Sequence, residues 1–233
     1  MDLAAELAAE RLLAIVRGTS EAASLAAVLT LADVGIRLIE VSLTTPGAAS
    51  VISQARGQAR PGTLIGAGTV RTAADVDLVA SAGAAFIVTP GMSAAVPAAV
   101  RHGLPAIAGA LTPSEVMAAL AAGAAAVKLF PASLGGPGYL QALRDPFPEA
   151  PFVPVGGVDV AAAAQYLAAG AVAVGVGSPL VGDAARDAAA ASPAAAAEAV
   201  AGLAGRARQF LAVTRPGGAG ASGPAGGAAG GPP

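Results

Sequence analysis

The stretch PAIAGALTPSEVMAALAAGAAAVKLFPA, residues 105–132, holds one complete structural unit, and its pattern recurs along the chain. It begins and ends with short apolar runs typical of strands that are buried on both faces. Between these runs, Thr112 and Glu115 form a capping box with Pro113 in the first helical turn, and Gly123 is placed to end the helix. The stretch therefore predicts a strand, a helix and a second strand of a parallel sheet.

The same alternation is found eight times. The candidate strands are residues 12–18, 38–43, 63–70, 86–91, 105–110, 126–132, 152–158 and 172–178. Several of the helical segments between them end at a glycine suited to a left-handed C-cap, namely Gly35, Gly83, Gly103, Gly123 and Gly170. Eight such units in about 200 residues predict an α/β fold, a single (β/α)8 TIM barrel. A doubly wound open sheet is the alternative, because counting strands does not prove closure.

The two ends of the chain differ from the repeating part. Residues 2–10, DLAAELAAE, predict an extra N-terminal helix that covers the bottom of the barrel, and 192–214 predict the helix after strand eight. The barrel domain therefore spans 1–214. Residues 215–233 are rich in Gly, Pro and Ala, and beyond Arg215 they hold no aliphatic side chain larger than alanine. Because such a segment cannot offset its ordering entropy by burial, we predict a disordered tail.

Composition excludes several classes of protein. The 233 residues carry a net charge of −2 without a Lys/Arg cluster, which argues against a nucleic-acid partner. No apolar segment reaches the roughly 20 residues of a membrane span, and the N-terminus lacks the basic region of a secretion signal. Cysteine is absent, and no His, Asp or Glu cluster has metal-ligand spacing. We expect a cytoplasmic protein with no membrane partner, no metal and no other cofactor.

Lys128 is the only lysine of the chain, the other 12 of its 13 basic residues being arginine, and it lies inside an apolar predicted strand. An amine in a medium of low dielectric constant loses proton affinity and becomes a nucleophile near neutral pH. Arginine cannot replace an amine that must form a Schiff base. The pattern thus predicts a catalytic lysine; a structural lysine that extends out of the barrel or pairs with an acid is the alternative.

Glu40 is the only carboxylate within a predicted strand. One interpretation is a general acid/base whose pKa is adjusted by the neighbouring Lys128 and Arg17. The other is a buried salt bridge to one of these two cations, and the two interpretations are compatible.

Polar and glycine residues gather at the carboxyl ends of the predicted strands, which is the functional face of such a barrel. They are Arg17, Glu40, Thr69, Lys128, Gly156, Gly157, Gly177 and Ser178. The last four follow strands seven and eight, where backbone N–H groups often hold a phosphate. A phosphorylated substrate is therefore favoured. His102, the only histidine, lies at a predicted helix end and is given no role.

Seven motifs carry a resemblance to a known family: AIVRG, IEVSLTTP, IGAGTV, IVTPG, AVKLFPAS, VPVGGV and VGVGS, in this order from about residue 11 to about residue 180. Together they resemble the 2-keto-3-deoxy-6-phosphogluconate (KDPG) aldolase family, which includes the 4-hydroxy-2-oxoglutarate (KHG) aldolases. The resemblance implies a homotrimeric class I aldolase without a metal, which cleaves KDPG to pyruvate and glyceraldehyde 3-phosphate.

By the same motifs, the resemblance assigns a role to each site residue. Lys128 would form the Schiff base and Glu40 would be the acid/base. Arg17 and Thr69 would hold the pyruvyl carboxylate, while Pro90 and Phe130 would shape the pocket. The residues that would hold the phosphate are Gly156, Gly157, Gly177 and Ser178.

One motif departs from the family pattern. Many gluconate-type members read EVTLRTP, with an arginine that contacts the substrate carboxylate, whereas this chain reads EVSLTTP and has Thr44 there. Relatives acting on the C4-epimeric galactonate phosphate also lack that arginine. KDPG is the first expected substrate, and the galactonate epimer, a dual specificity or 4-hydroxy-2-oxoglutarate are alternatives.

A barrel of another class also stays open. It would be a non-catalytic phosphosugar-binding barrel, or another phosphate barrel such as an epimerase or thiamin phosphate synthase. Such a protein would use the glycine sites, but it would leave Lys128 and Glu40 without an explanation.

Overall fold

The structure is a computed structural model that describes residues 1–186 and 192–215. The predicted disordered tail, apart from Arg215, lies outside the described residues. The strands are β1 (Leu12–Val16), β2 (Leu38–Ser42), β3 (Leu64–Gly68), β4 (Ile87–Val88), β5 (Ala106–Ala110), β6 (Ala126–Leu129), β7 (Phe152–Pro154) and β8 (Val174–Val176). The helices are α1 (Leu3–Glu10), α2 (Glu21–Val34), α3 (Ala48–Gln58), α4 (Ala73–Ser81), α5 (Ala95–Arg101), α6 (Pro113–Ala121), α7 (Gly136–Arg144), α8 (Val160–Ala168), α9 (Ser178–Val181) and α10 (Pro193–Thr214), with a 3-10 turn at Ala132–Leu134.

The eight strands form a nearly closed ring. Each strand from β1 to β6 pairs in parallel with the next one along the chain, and β8 pairs in parallel with β1. A parallel bridge between Val155 and Gly175 joins the β7 and β8 sides. The predicted (β/α)8 barrel is confirmed. The doubly wound alternative is wrong, because its strand order would reverse within the sheet, whereas here the strands follow chain order from β1 to β7 and β8 lies beside β1.

Several strands are shorter than the apolar runs that predicted them. The runs over 86–91, 126–132, 152–158 and 172–178 all continue past the last paired residue of the strand. These extra residues belong to the loops at the barrel mouth, and some of them, such as Val155 and Val158, are as buried and apolar as strand residues. Arg17 and Thr69, expected at strand ends, likewise lie one residue beyond β1 and β3. The mouth is therefore built from loop residues directly after the ladders.

The apolar core has two layers, one inside the ring and one between the ring and the helices. Side chains alternate between these layers along each strand, so that Leu13 and Ile15 of β1 point inward while Ala14 and Val16 point outward. Helix α1 begins at the Asp2 cap, whose carboxylate accepts a hydrogen bond from the backbone N–H of Ala5. Its fully buried Leu3 and Leu7 pack against the inner layer, which confirms that this extra helix covers one end of the barrel.

The predicted helix signals are present. Thr112 and Glu115 form the expected capping box of α6. The glycines expected to end helices all have positive φ, namely Gly35, Gly83, Gly103, Gly123 and Gly170. The final predicted helix is α10, capped by Ser192. Among the helices of the described part of the chain, none is long and apolar enough to cross a membrane.

Candidate active site

Strand alternation brings three predicted site residues to the barrel interior. Lys128 lies two residues after the inward-facing Ala126 of β6, and Glu40 lies two residues after Leu38 of β2. Arg17 follows Ile15 of β1 in the same way. Because successive side chains of a strand point to opposite faces, all three side chains point into the ring near its carboxyl-terminal mouth.

A cavity of about 620 Å³ occupies this mouth. Its lining includes all of the predicted site residues except Glu40, namely Arg17, Thr69, Pro90, Lys128, Phe130, Gly156, Gly157, Gly177 and Ser178. The structure thus brings these residues together from seven different β-α connections or strands. The lining also contains Asp183 and Arg186, which sequence analysis missed because they belong to none of its motifs.

Lys128 is buried, with 6% of its surface exposed, and its amine faces the cavity. Its Nζ lies 5.0 Å from the centroid of the Phe130 ring, which forms an apolar wall beside the amine. The ion pairs between described side chains do not include Lys128. The burial of Lys128 and the lack of an ion pair among the described side chains favour a catalytic lysine over the structural alternative.

Glu40 is fully enclosed, and its Oε2 has no hydrogen-bond partner among the described residues. Burial raises the pKa of its carboxyl above the ordinary value, and this effect outweighs the lowering by the charges of Lys128 and, to a smaller extent, Arg17. The ion pairs between described side chains do not include Glu40, so the predicted buried salt bridge is not formed. A carboxyl with a raised pKa beside an amine is suited to exchange protons with it.

We expect the stability of the protein to report this raised pKa. A carboxyl whose pKa is raised by folding contributes stability that is complete below its unfolded pKa, near 4.5, and is lost as the pH rises through its folded pKa. The free energy of unfolding of the wild type, minus that of Glu40→Gln, should be constant below about pH 4 and then fall by up to about 1.4 kcal/mol per pH unit. Urea unfolding over a series of pH values measures this difference. Contributions of exposed acids cancel in the subtraction, and a flat difference would contradict the assignment.

Gly68, the last residue of β3, leaves the space that the Glu40 carboxyl occupies. A Cβ built on Gly68 would overlap Oε1 of Glu40. This dependence could not be predicted from the sequence, because the contact crosses from one strand to the next.

Gly68→Ala is therefore expected to displace the Glu40 carboxyl and to lower kcat by about 10- to 50-fold with the barrel intact. Steady-state kinetics together with circular dichroism measure the two effects. Gly57→Ala is the matched control, because a Cβ at this position in α3 would meet nothing within 4 Å and should leave kcat unchanged. Equal kcat values for the two variants would show that the Glu40 position is not critical.

Three hydroxyl side chains form a chain beside the cavity. Ser42 Oγ lies 2.8 Å from Thr44 Oγ1 and 2.9 Å from Thr69 Oγ1. Thr69 has a φ of 58°, a left-handed conformation that is costly for a β-branched residue and typical of functional sites. Sequence analysis missed Ser42, although its position two residues after Glu40 places it on the same inward face. Thr44 contacts Ser42, which in turn contacts Thr69.

The loops after β7 and β8 frame the other end of the cavity. Gly156 and Gly157 have φ values of 99° and 76°, which only glycine adopts without strain. The backbone N–H of Ser133 donates to the Gly156 carbonyl, which ties this loop to the segment after β6. Gly177 precedes α9, and Ser178 is its first residue. Main-chain groups are thus exposed to the cavity here without intervening side chains.

His102 does not belong to this group. It caps the carboxyl end of α5, and its Nε2 lies 2.8 Å from Asp77 Oδ1. Over residues 1–186 and 192–215, no group of three or more His, Asp or Glu side chains is placed to hold a metal ion.

Comparison with known proteins identifies the family. The model of the KDPG and KHG aldolase family matches residues 3–192. A probable 2-dehydro-3-deoxy-6-phosphogalactonate aldolase of Rhizobium meliloti (strain 1021) is 39% identical over 171 residues, which cover 72% of this chain and 81% of that protein. A 2-dehydro-3-deoxy-phosphogluconate aldolase of Treponema pallidum (strain Nichols) is 40% identical over 136 residues, covering 58% and 64%.

A solved structure agrees with these relatives. KDPG aldolase of Legionella pneumophila, with pyruvate captured as a covalent carbinolamine, superposes with a TM-score of 0.76 at 29% identity and covers 92% of this chain and 98% of its own. The family resemblance seen in the motifs is thereby confirmed, and the alternatives of another class are set aside. Since the family model spans most of the chain, the protein belongs to the KDPG and KHG aldolase family and is a carbon–carbon lyase.

Proposed function

We propose that the protein is a class I aldolase that cleaves a 2-keto-3-deoxy-6-phospho sugar acid through a Schiff base on Lys128. The observation that carries the proposal is the buried Lys128 amine, which faces the cavity without an ion-pair partner among the described residues. The carbinolamine of pyruvate in the Legionella relative supports the same chemistry here.

In the first stage, the neutral amine of Lys128 attacks the C2 ketone of the substrate and forms a carbinolamine. Loss of the C2 oxygen as water requires a proton donor, and the product is a cationic iminium. Glu40 is the available proton carrier, because burial keeps its pKa raised. We place one water between Glu40 and the reacting atoms.

In the second stage, the iminium accepts electrons from the C3–C4 bond. A base removes the proton of the C4 hydroxyl, and the C3–C4 bond breaks. Glyceraldehyde 3-phosphate leaves, and the electrons of the broken bond remain on the pyruvyl part as an enamine. Protonation of the enamine at C3 restores an iminium, and its hydrolysis frees pyruvate and the Lys128 amine. Glu40 serves each proton transfer in turn, so the residue ends the cycle in its starting state.

The remaining lining residues position the substrate. Arg17 and Thr69 hold the pyruvyl carboxylate, with Thr69 fixed by Ser42. Pro90 and Phe130 form the apolar walls. The phosphate is held by the backbone N–H groups of Gly156, Gly157, Gly177 and Ser178, which also line the cavity.

Between the two C4 epimers, we propose the 6-phosphogalactonate acid as the preferred substrate, with KDPG as the second candidate. Two observations favour this order over the one expected from the motifs. Thr44 stands where many gluconate-type members have an arginine, and the galactonate-named relative of Rhizobium meliloti aligns over 72% of the chain, against 58% for the gluconate-named relative of Treponema pallidum and 68% for that of Pseudomonas aeruginosa. The ratio of kcat/KM for the two epimers, measured by pyruvate release, tests this preference. A ratio that favours KDPG would reverse the order.

Borohydride reduction in the presence of pyruvate tests the Schiff base directly. Because Lys128 is the only lysine, peptide mass spectrometry has only the N-terminal amine as a competing site. We expect a reduced pyruvyl adduct on the peptide that contains Lys128. Folded protein without this adduct would overturn the proposed mechanism.

The homotrimer and the cytoplasmic location stay predictions from the resemblance and the composition. Light scattering coupled to size exclusion measures the number of subunits. A mass three times that of the 21.9 kDa chain is expected.

A further inference from the structure

Two charged side chains at the rim of the cavity have no place in the chemistry above. Asp183 and Arg186 follow α9 and line the cavity that also contains the glycine loops after β7 and β8. Arg186 Nε lies 3.0 Å from Asp183 Oδ1, and both side chains are mostly exposed, by 70% and 82%. The pair is therefore accessible both to solvent and to a ligand in the cavity.

The backbone that carries this pair is firmly held. Ala184 and Ala185 are buried, and the Ala185 carbonyl accepts a hydrogen bond from the backbone N–H of Thr19, in the loop after β1. Arg206 of α10 donates from Nε to the Leu180 carbonyl and from Nη2 to the Val181 carbonyl, at 2.7 and 2.9 Å. The main chain is thus anchored before Asp183 and again at Ala185, between the two members of the pair, while the exposed Arg186 side chain can change its partner.

The charges of the cavity are unevenly distributed relative to the proposed substrate. Arg17 and Lys128, the other two cations of the lining, are both assigned to the keto acid by the proposed function. The phosphate end is formed by glycines and Ser178, which offer neutral donors to a group that carries close to two negative charges. Arg186 is the cation on the segment that continues from Ser178 through α9.

We propose that Arg186 leaves Asp183 to bind the substrate phosphate, and that this exchange selects phosphorylated over unphosphorylated substrates. The inference rests on the proposed function, which places the phosphate beside Gly156, Gly157, Gly177 and Ser178. An exposed ion pair is worth little in water, so its loss opposes the exchange only weakly. A guanidinium can bind a phosphate through two parallel hydrogen bonds, and the phosphate carries close to two negative charges against one on Asp183, so the Coulombic attraction favours the phosphate. Asp183 acts as the competitor that holds Arg186 at the rim when no phosphate is present.

The exchange predicts opposite effects for the two members of the pair. Arg186→Gln should weaken the binding of sn-glycerol 3-phosphate, an unreactive three-carbon phosphate, by about 5- to 10-fold. Asp183→Asn should strengthen it by about 2- to 3-fold, because it removes both the competitor and a negative charge near the phosphate. Isothermal titration calorimetry measures both dissociation constants, and the difference between wild type and Arg186→Gln should shrink in high salt.

Arg208→Gln is the matched control, because Arg208 is an exposed arginine of α10 that does not line the cavity. Its dissociation constant should equal that of the wild type. If Arg186→Gln behaves like Arg208→Gln, or if Arg186→Gln and Asp183→Asn weaken binding equally, the pair is only structural and the inference is wrong.

The calorimetric result is independent of catalysis. If pyruvate and borohydride trap the wild type but glycerol phosphate binding does not depend on Arg186, the proposed function stands and this inference is wrong. If the wild type is not trapped but glycerol phosphate binding depends on Arg186, the aldolase mechanism is wrong and the phosphate site stands.

Discussion

Lys128→Arg is expected to abolish cleavage, lowering kcat by about 10⁴-fold or more, to the limit of detection. The substitution retains a positive charge beside Phe130 and near Glu40, but a guanidinium cannot form the imine on which the bond cleavage depends. Pyruvate release, followed by coupling to lactate dehydrogenase, measures the loss. Purely electrostatic catalysis by the Lys128 charge would instead leave substantial activity in this variant.

A second substitution controls for loss of activity through misfolding. Lys128→Met matches the aliphatic part of the lysine and introduces no larger group into the interior, where the residue is 6% exposed. Both variants should be inactive, and neither should form the reduced pyruvyl adduct. Circular dichroism and thermal unfolding verify the barrel. An active Lys128→Met protein would remove Lys128 from the mechanism altogether.

Glu40→Gln is expected to lower kcat by about 10²-fold or more, because an amide cannot carry the protons that the carbinolamine and the enamine require. The substitution is nearly isosteric, so the barrel should keep its shape. Trapping of pyruvate by borohydride should become slower but still reach Lys128, since Glu40 assists the imine without being part of it. Steady-state kinetics and a time course of adduct formation separate these two effects.

The same substitution should make the protein more stable near neutral pH. The buried Glu40 carboxyl has a raised pKa and an oxygen without a hydrogen-bond partner among the described residues, so its ionised form is unfavourable in the folded state. Lower activity together with higher stability is the result expected of a group retained for function. Glu149→Gln, at an exposed position, is the matched control and should change neither quantity. Unchanged kcat in Glu40→Gln would leave Glu40 without a catalytic role.

Much of the architecture could be predicted from local sequence signals. The capping box at Thr112 and Glu115, the glycines that end helices and the apolar runs of the strands each depend on residues close together in the chain. The ends of the strands were predicted less well, as at 126–132, where the ladder stops at Leu129. Buried loop residues are as apolar as strand residues, so composition does not distinguish them.

The residues of the candidate site likewise include some that could be predicted from the sequence and some that could not. Lys128 and Glu40 stood out because each is an isolated charge in an apolar run, and the family motifs supplied the rest of the predicted lining. Gly68, Ser42 and Arg186 were not predicted. Gly68 leaves room for the Glu40 carboxyl of the neighbouring strand, and Ser42 lies within hydrogen-bonding distance of Thr44 and Thr69. Arg186 lines the rim of the cavity.

The sequence by itself determined the order of strands and helices, the positions of Lys128 and Glu40 within strands, and the family, because periodicity and motifs are properties of neighbouring residues. Only the tertiary structure decided the closure between Val155 and Gly175, the lack of an ion pair at Glu40 among the described side chains and the placement of Asp183 and Arg186 on the cavity. Each of these depends on distances between residues far apart in the chain. Such distances are fixed only when the packed barrel brings its eight strand ends to one mouth.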